Sequence, residues 1–288
     1  MTLIADGGST KCDWVLLDSL GNTLLKTRTK GLNPAVISED ELKIRIEAND
    51  DLQKLFESVN TVDFYGAGCG TASPKKILYT ILSQFFKNAI VTVEEDMTAA
   101  VYAVTHQKGI VCIFGTGSNS CYFDGKTIHF GVESLGFILM DEASGNYFGK
   151  RLIRDYYYKR MPKTLAQDFE TQFDLNADTI KTNVYKRPNP NAYLASFAEF
   201  IFKDESIKPD EYFHKLLEEG IMNFISVHIL IFEKAKEVPI HFVGSIAFYS
   251  QEIIKKCFAK HQLILGNIIQ RPIDGLISYY KNHKLVTP

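Results

Sequence analysis

The sequence predicts an α/β protein made of two related lobes, and two observations carry that expectation. Apolar runs of strand length alternate with amphipathic helical segments over the first hundred residues and again near the end. A Gly-rich, hydroxyl-bearing hairpin near the start also recurs about 110 residues later, each time opening a strand–strand–strand block followed by helix. With 288 residues, the chain has room for one large domain or two medium ones and can bury a substantial core.

The elements follow in order. Leu3 to Ala5, Trp14 to Leu17 and Thr23 to Thr29 read as three strands, joined by Asp6-Gly7-Gly8-Ser9-Thr10-Lys11 and by the turn-forming cluster Asp18 to Asn22. The charged stretch 38–59 has helical spacing, with Leu42, Ile46, Leu52 and Leu55/Phe56 on one side. A short strand at 62–68 precedes a helix expected to start with Ser73 as N-cap and Pro74 in its first position. A strand at 89–96 then runs directly into a helix from about Met97.

The opening pattern returns at 109–130. Gly115-Thr116-Gly117-Ser118 stands opposite Gly7-Gly8-Ser9, and Asp124-Gly125 opposite Asp18 to Gly21. From about Asp141 to Glu237 the pattern is mainly helical, and the aromatic stretches 156–160 and 197–202 are expected to be core stripes. Strand, helix (247–260), strand and final helix close the chain, with His241 expected in the core of its strand.

Composition excludes several function classes. The formal net charge is -2 with no long basic run, which argues against nucleic acid as a partner. No apolar stretch approaches the roughly 20 residues of a membrane helix. The first residues read as a strand without a basic leader, so a cytoplasmic location is expected. Five scattered cysteines, none in a CxxC pair, fit reduced thiols, and Cys112 and Cys121 are expected to be buried small hydrophobes.

Glycines at the hairpin tips let backbone N–H groups approach a ligand closely, and a row of such donors suits anionic oxygens. Ser9, Thr10, Thr116 and Ser118 add hydroxyls, and Lys11 adds a positive charge. One such hairpin could be only a turn; the duplicated pair favours two halves of a polyphosphate clamp. The common phosphate loops do not fit. Gly125-Lys126-Thr127 supplies the end of a Walker loop, but Ser120 stands where its first glycine belongs. The 115–120 stretch lacks the third glycine of the dinucleotide fingerprint and runs into a strand.

The segments 4–18 and 113–125, the later 242–247 with its Gly244-Ser245, the closing 272–279, and the Gly-rich 135–150 together resemble the N-acetylglucosamine kinase and BadF/BadG-type ATPase family. That family lies in the actin, sugar-kinase and heat-shock-ATPase superfamily, and the resemblance covers essentially the whole chain. It implies a two-lobed ribonuclease H-like fold with duplicated β-β-β-α-β-α-β-α lobes around a cleft. Residues 1–106 would form the first lobe, with the last helix (about 273–284) packing back on it, and residues 107–288 the second, with a helical insertion at about 142–237.

The resemblance also implies roles. ATP would be bound by Gly7, Gly8, Ser9, Thr10, Lys11, Gly115, Thr116 and Gly117, with Gly244 and Ser245 at the adenosine, and Asp6 would hold Mg²⁺ through water. Asp96, at a strand-to-helix junction, would be the base that takes the proton from a sugar hydroxyl, the 6-hydroxyl of an amino sugar such as N-acetylglucosamine. Asn33, Gly117, Ser118 and Asp141 would contact the sugar, and a homodimer is a possible assembly. Each residue has a plainer alternative: Asp6 as a turn aspartate, Asp96 as a helix cap, Asn33 as part of an Asn-Pro turn, Asp141 as a cap before a helix. The stretch departs from the family at Ser134-Leu135-Gly136-Phe137, where Gly-Trp-Gly is usual, and at Ala143, where glycine is usual. A partner-coupled ATPase, sharing an iron–sulfur cluster through cysteines, is the alternative activity.

Overall fold

The computed structural model of the chain describes residues 1–203 and 210–285. It divides into two compact units, 1–103 with 271–288 and 104–270.

The first unit runs β1 (Thr2–Gly7), β2 (Lys11–Leu17), β3 (Thr23–Lys30), α1 (Glu39–Glu47), α2 (Asp50–Gln53), β4 (Thr61–Gly66), α3 (Ala72–Phe85), β5 (Ile90–Glu95) and α4 (Asp96–Val104). Its sheet has the order β3-β2-β1-β4-β5, with β1, β4 and β5 parallel and the β1–β2–β3 meander antiparallel. Strand alternation gives the sheet two apolar faces. Leu3, Ala5, Trp14, Val62 and Phe64 pack under α1–α3, while Ile4, Val15, Leu17 and Tyr65 pack against α4 and the last helix.

Two expectations are corrected here. The charged stretch 38–59 is not one helix: the chain breaks after Glu47, and Asn49 caps a second short helix by accepting from the Leu52 N–H at 2.9 Å. Ser73 does not cap α3, which starts at Ala72 after Thr71 and has no side-chain cap.

The second unit runs β6 (Gly109–Phe114), β7 (Ser118–Phe123), β8 (Ile128–His129), α5 (Gly145–Tyr157), α6 (Lys163–Gln172), α7 (Ala177–Tyr185), α8 (Pro190–Ser196), α9 (Glu211–Phe224), β9 (Ile240–Val243), α10 (Ser245–Tyr249), α11 (Gln251–His261) and β10 (Leu265–Ile269). Its sheet order, β10-β9-β6-β7-β8, repeats the first: an antiparallel meander with two parallel strands added beside its first strand. The expected α/β fold with duplicated lobes is therefore present, down to strand order.

Phe114, Phe148, Phe169, Phe197, Phe224, Phe242 and Phe258 fill the core of this unit. The 197–202 stretch is core as expected. In the 156–160 stretch Tyr157 and Tyr158 are instead exposed, because α5 ends there and turns them outward. The segment 247–260 is divided between α10 and α11 rather than continuous. His241 is buried, and its Nδ1 accepts from the Asn267 N–H at 2.9 Å.

The last helix, α12 (Pro272–Tyr279), belongs to the first unit, where Gly275 lies so close to Ala103 that a Cβ would meet its carbonyl oxygen at 2.5 Å.

Candidate functional site

The first glycine hairpin is built by close packing beneath it. The Phe64 ring lies under both Gly7 and Gly66, and a Cβ on either would come within 2.3 Å of it. Only glycine lets β1 and β4 close over that ring at their ends. The tip closes with Gly8 N–H donating to the Lys11 carbonyl at 2.9 Å, and Gly31 N–H ties β3 to the Thr10 carbonyl at 3.0 Å. Asn33 braces the tip from behind. Its Nδ2 donates to Ser9 Oγ at 2.8 Å and its Oδ1 accepts from the Ala35 N–H at 2.9 Å, in a buried setting.

Strand register gathers the charged residues. Gly7, Gly66 and Glu95 are neighbours across β1, β4 and β5, so Asp6 and Asp96 both lie at the carboxyl ends of the parallel strands. Ligand sites of open α/β sheets lie at that edge. Removal from water, with the charges of Asp13 and Asp96 adding to it, pushes the Asp6 carboxyl up to about 7, while Lys11 pulls it the other way. Burial, helped by Arg28, lowers the Lys11 ammonium below its ordinary value. Asp13 accepts from Arg28 Nε at 2.5 Å. Glu94, a neighbour of Asp96 in sequence, is paired with Lys75 at 2.7 Å.

The second hairpin has the same form and a denser support. Gly115 N–H donates to the Gly117 carbonyl at 3.0 Å, closing the tip between β6 and β7. The 141–146 turn carries it: Gly145 N–H donates to the Gly115 carbonyl at 2.8 Å and Asn146 N–H to the Thr116 carbonyl at 3.0 Å. Asp141 adopts φ 71° and Ala143 φ 59°, which turns the Asp141 carboxylate in under Gly117. There it accepts from Asn146 Nδ2 at 2.8 Å and from the Ser118 N–H at 3.3 Å. Burial raises the Asp141 carboxyl above its ordinary range, opposed by those two donors and by Lys150. Ser118 Oγ donates to the Glu142 carbonyl at 2.7 Å.

Gly244 joins the same unit's edge at the end of β9, with φ 122° and so little room that a Cβ would meet the Phe114 carbonyl oxygen at 2.2 Å. Ser245 follows as the first residue of α10. The structure thus groups Asp6, Gly7, Gly8, Ser9, Thr10, Lys11, Asn33 and Asp96 in the first unit. It groups Gly115, Thr116, Gly117, Ser118, Asp141, Gly244 and Ser245 in the second.

Sequence reasoning missed Asn146, a fully buried amide that binds both Thr116 and Asp141. Its signal was its place two residues after the helix-capping Ser144. It also missed His228, whose Nε2 lies 3.4 Å from Glu142 Oε2. No periodicity in sequence joins residues that far apart. Cys112 and Cys121 are wholly buried on adjacent strands, and burial pushes the Cys112 thiol well up. Neither can present a thiolate at a subunit surface for a shared cluster.

No protein-family model and no curated protein sequence matches the chain. Among solved structures it is similar to a candidate N-acetylglucosamine kinase from Porphyromonas gingivalis, with 34% identity over 99% of this chain and 100% of that one and a TM-score of 0.87. A second candidate N-acetylglucosamine kinase, from Chromobacterium violaceum, is 15% identical over 96% of this chain and 98% of that one, with a TM-score of 0.71. A ROK family glucokinase from Streptomyces griseus, in complex with glucose and AMPPNP, is 14% identical over 96% of this chain and 97% of that one, with a TM-score of 0.58. The two more distant likenesses speak for the fold alone.

Proposed function

The chain belongs to the N-acetylglucosamine-kinase-type family of the actin, sugar-kinase and heat-shock-ATPase superfamily, and from that premise we propose that it is an ATP-dependent sugar kinase. The acceptor is a hydroxyl, the 6-hydroxyl, of an amino sugar such as N-acetylglucosamine. The observation that carries this reading is the position of Asp6, Lys11 and Asp96 at one edge of the first sheet, beside a hairpin whose Gly7 is forced by packing on Phe64.

Phosphoryl transfer needs positioning and charge stabilisation more than covalent chemistry from the protein. Backbone N–H groups of the Gly7–Lys11 tip that do not close the turn bind phosphate oxygens, as do those of the Gly115–Gly117 tip in its own unit, and Lys11 offsets the phosphate charge. Asp96 accepts the proton of the sugar hydroxyl as its oxygen forms the bond to the γ-phosphorus. The bond from that phosphorus to the bridging oxygen of ADP breaks in the same step. Gly244, with no side chain, leaves the backbone open beside the adenosine.

Mg²⁺ neutralises phosphate charge when it is bound, and Asp6 is the residue that would hold it through water. Among the described residues no group of three metal-ligating side chains exists. Mg²⁺ on phosphates needs none, since one or two carboxylates with waters and phosphate oxygens complete its shell. A carboxylate held up to about 7 by burial and by two like charges is also one that a cation beside it would stabilise.

The test is ATP turnover against a panel of hexoses and hexosamines. The expected result is turnover stimulated by an amino sugar, and a loss of about 10²- to 10⁴-fold in kcat for Asp96→Asn with the fold intact. A panel in which no sugar stimulates turnover overturns the reading, as does an Asp96→Asn protein with unchanged kcat.

A further inference from the structure

The second unit carries an apolar surface that the mechanism above does not use. After α9 the chain winds into a π-helical turn, Ile225–Ile229. Ile225, His228 and Ile229 face inward and are buried, whereas Val227, Leu230 and Ile231 face outward and are exposed. Beside them lies the 131–140 loop, whose Leu135, Ile138 and Leu139 are 60%, 77% and 70% exposed. The two segments meet at Gly131, where a Cβ would come within 2.6 Å of Ile231 Cδ1 and 2.9 Å of the Phe232 ring. Loop and turn therefore form one continuous surface.

The loop is a built element, closed by its own hydrogen bonds. Gly136 takes φ 80°, and its carbonyl accepts from the Leu139 N–H at 3.2 Å and the Met140 N–H at 2.9 Å. The Leu135 N–H donates to Met140 Sδ at 3.4 Å, and Lys150 Nζ donates to the Phe137 carbonyl. These bonds anchor the loop to α5 and hold Ile138 and Leu139 out in water. The loop includes the stretch 134–137, where the chain departs from the family's Gly-Trp-Gly. The surface thus belongs to this chain rather than to the family pattern.

Single exposed apolar side chains are ordinary, but a contiguous group of them marks an interaction site. At these exposures the six side chains leave on the order of 600 Å² of apolar surface open, the upper end of the largest patch on a monomer. Each partner gives about 800 Å² to a standard interface, which this patch supplies together with its rim. Its composition is that of an interface centre. Neither 134–140 nor 225–232 contains Asp, Glu, Lys or Arg, in a chain with 23% charged residues. The flanking charges, Glu133, Glu233 and Lys234, are of both signs, unlike the basic face of a membrane-surface helix. A projecting loop beside a flatter helical turn is also self-complementary, since a two-fold rotation sets each loop on the other copy's turn.

We propose that a second copy of this chain covers the surface, in a two-fold dimer with the 135–139 loop of one protomer on the 227–231 turn of its partner. This does not rest on the sugar-kinase reading, and its test reads mass rather than activity.

The experiment is analytical ultracentrifugation of the wild type across the micromolar range, alongside Ile138→Lys, Ile231→Glu and an equal mixture of the two. Thermal melting checks each fold, and Leu139→Lys with Val227→Glu repeats the pair if either variant melts early. The wild type is expected to be a dimer at micromolar concentration. Each variant alone raises the dissociation constant about 30-fold or more, because both loop–turn contacts then bury an unpaired charge. In the mixture one contact sets the introduced lysine against the introduced glutamate and the other is wholly native, so the dimer returns. A wild type that stays monomeric across the range overturns the inference. So does a dimer that both substitutions leave intact, or a mixture that stays monomeric.

Discussion

At the residue scale, the most exposed assumption of the mechanism is the charge of Asp6. Its carboxyl is raised to about 7 in the folded protein by burial, Asp13 and Asp96, against roughly 3.9 in an unfolded chain. The folded state therefore binds the proton more tightly. The contribution to stability is complete below the unfolded value and is lost as pH rises through about 7. Asp6→Asn should gain stability relative to wild type as pH rises from about 4 to about 7, read by thermal melting of the ligand-free proteins. A constant difference across that range would show that Asp6 does not titrate there. The same titration predicts that Mg²⁺-dependent nucleotide binding strengthens toward higher pH in wild type and loses that dependence in Asp6→Asn. Residue identity alone could mark Asp6 and Asp96 as candidates. It could not show that Asn33 and Asp141 are tied to their own turns, because a polar side chain beside a glycine turn has the same sequence signature whether it faces a ligand or its own loop.

At the scale of elements, each glycine turn is a rigid object shaped by what packs beneath it. Gly7 and Gly66 make room for one phenyl ring, and Gly244 makes room for the carbonyl that precedes the other tip. Gly244→Ala combines a forbidden φ with a backbone clash, and should destabilise the protein by about 2–4 kcal/mol in chemical unfolding. An Ala variant as stable as wild type would mean that β9 and β6 can separate at no cost. The hairpins and their Gly tips were legible because turn chemistry is local. The break between α1 and α2, and the division of 247–260 into two helices, were not. In both places the apolar spacing continues through the break, and capping by Asn49 or packing against neighbouring strands decides where the helix stops.

At the scale of the whole molecule, the chain returns at its end to the unit with which it began. Tyr280 is fully buried there and donates to Asp63 Oδ2 at 2.7 Å, with the Tyr65 hydroxyl 2.8 Å away and Lys284 Nζ 3.0 Å from the same carboxylate. Burial holds both tyrosine hydroxyls far above their ordinary range, so both keep their protons near neutral pH. Tyr280→Ala should cost about 3–5 kcal/mol in urea unfolding, as for other large-to-small aromatic substitutions, and Tyr280→Phe about 1–3 kcal/mol through the loss of the buried hydroxyl that donates to Asp63. Unchanged unfolding midpoints in both would show that the closing segment adds nothing to the fold.

The sequence by itself determined the α/β class, the duplicated meander with its two Gly-rich tips, and the superfamily, because strand alternation and turn residues are local signals and repetition made them specific. Only the tertiary structure decided which side chains meet at each tip. The pairing of Asn33 with Ser9, the inward turn of Asp141, the bracing by Asn146, and the approach of His228 to Glu142 span from 5 to 86 residues. Such contacts are made by packing between elements, and no local pattern encodes which face of a helix will rest on which turn.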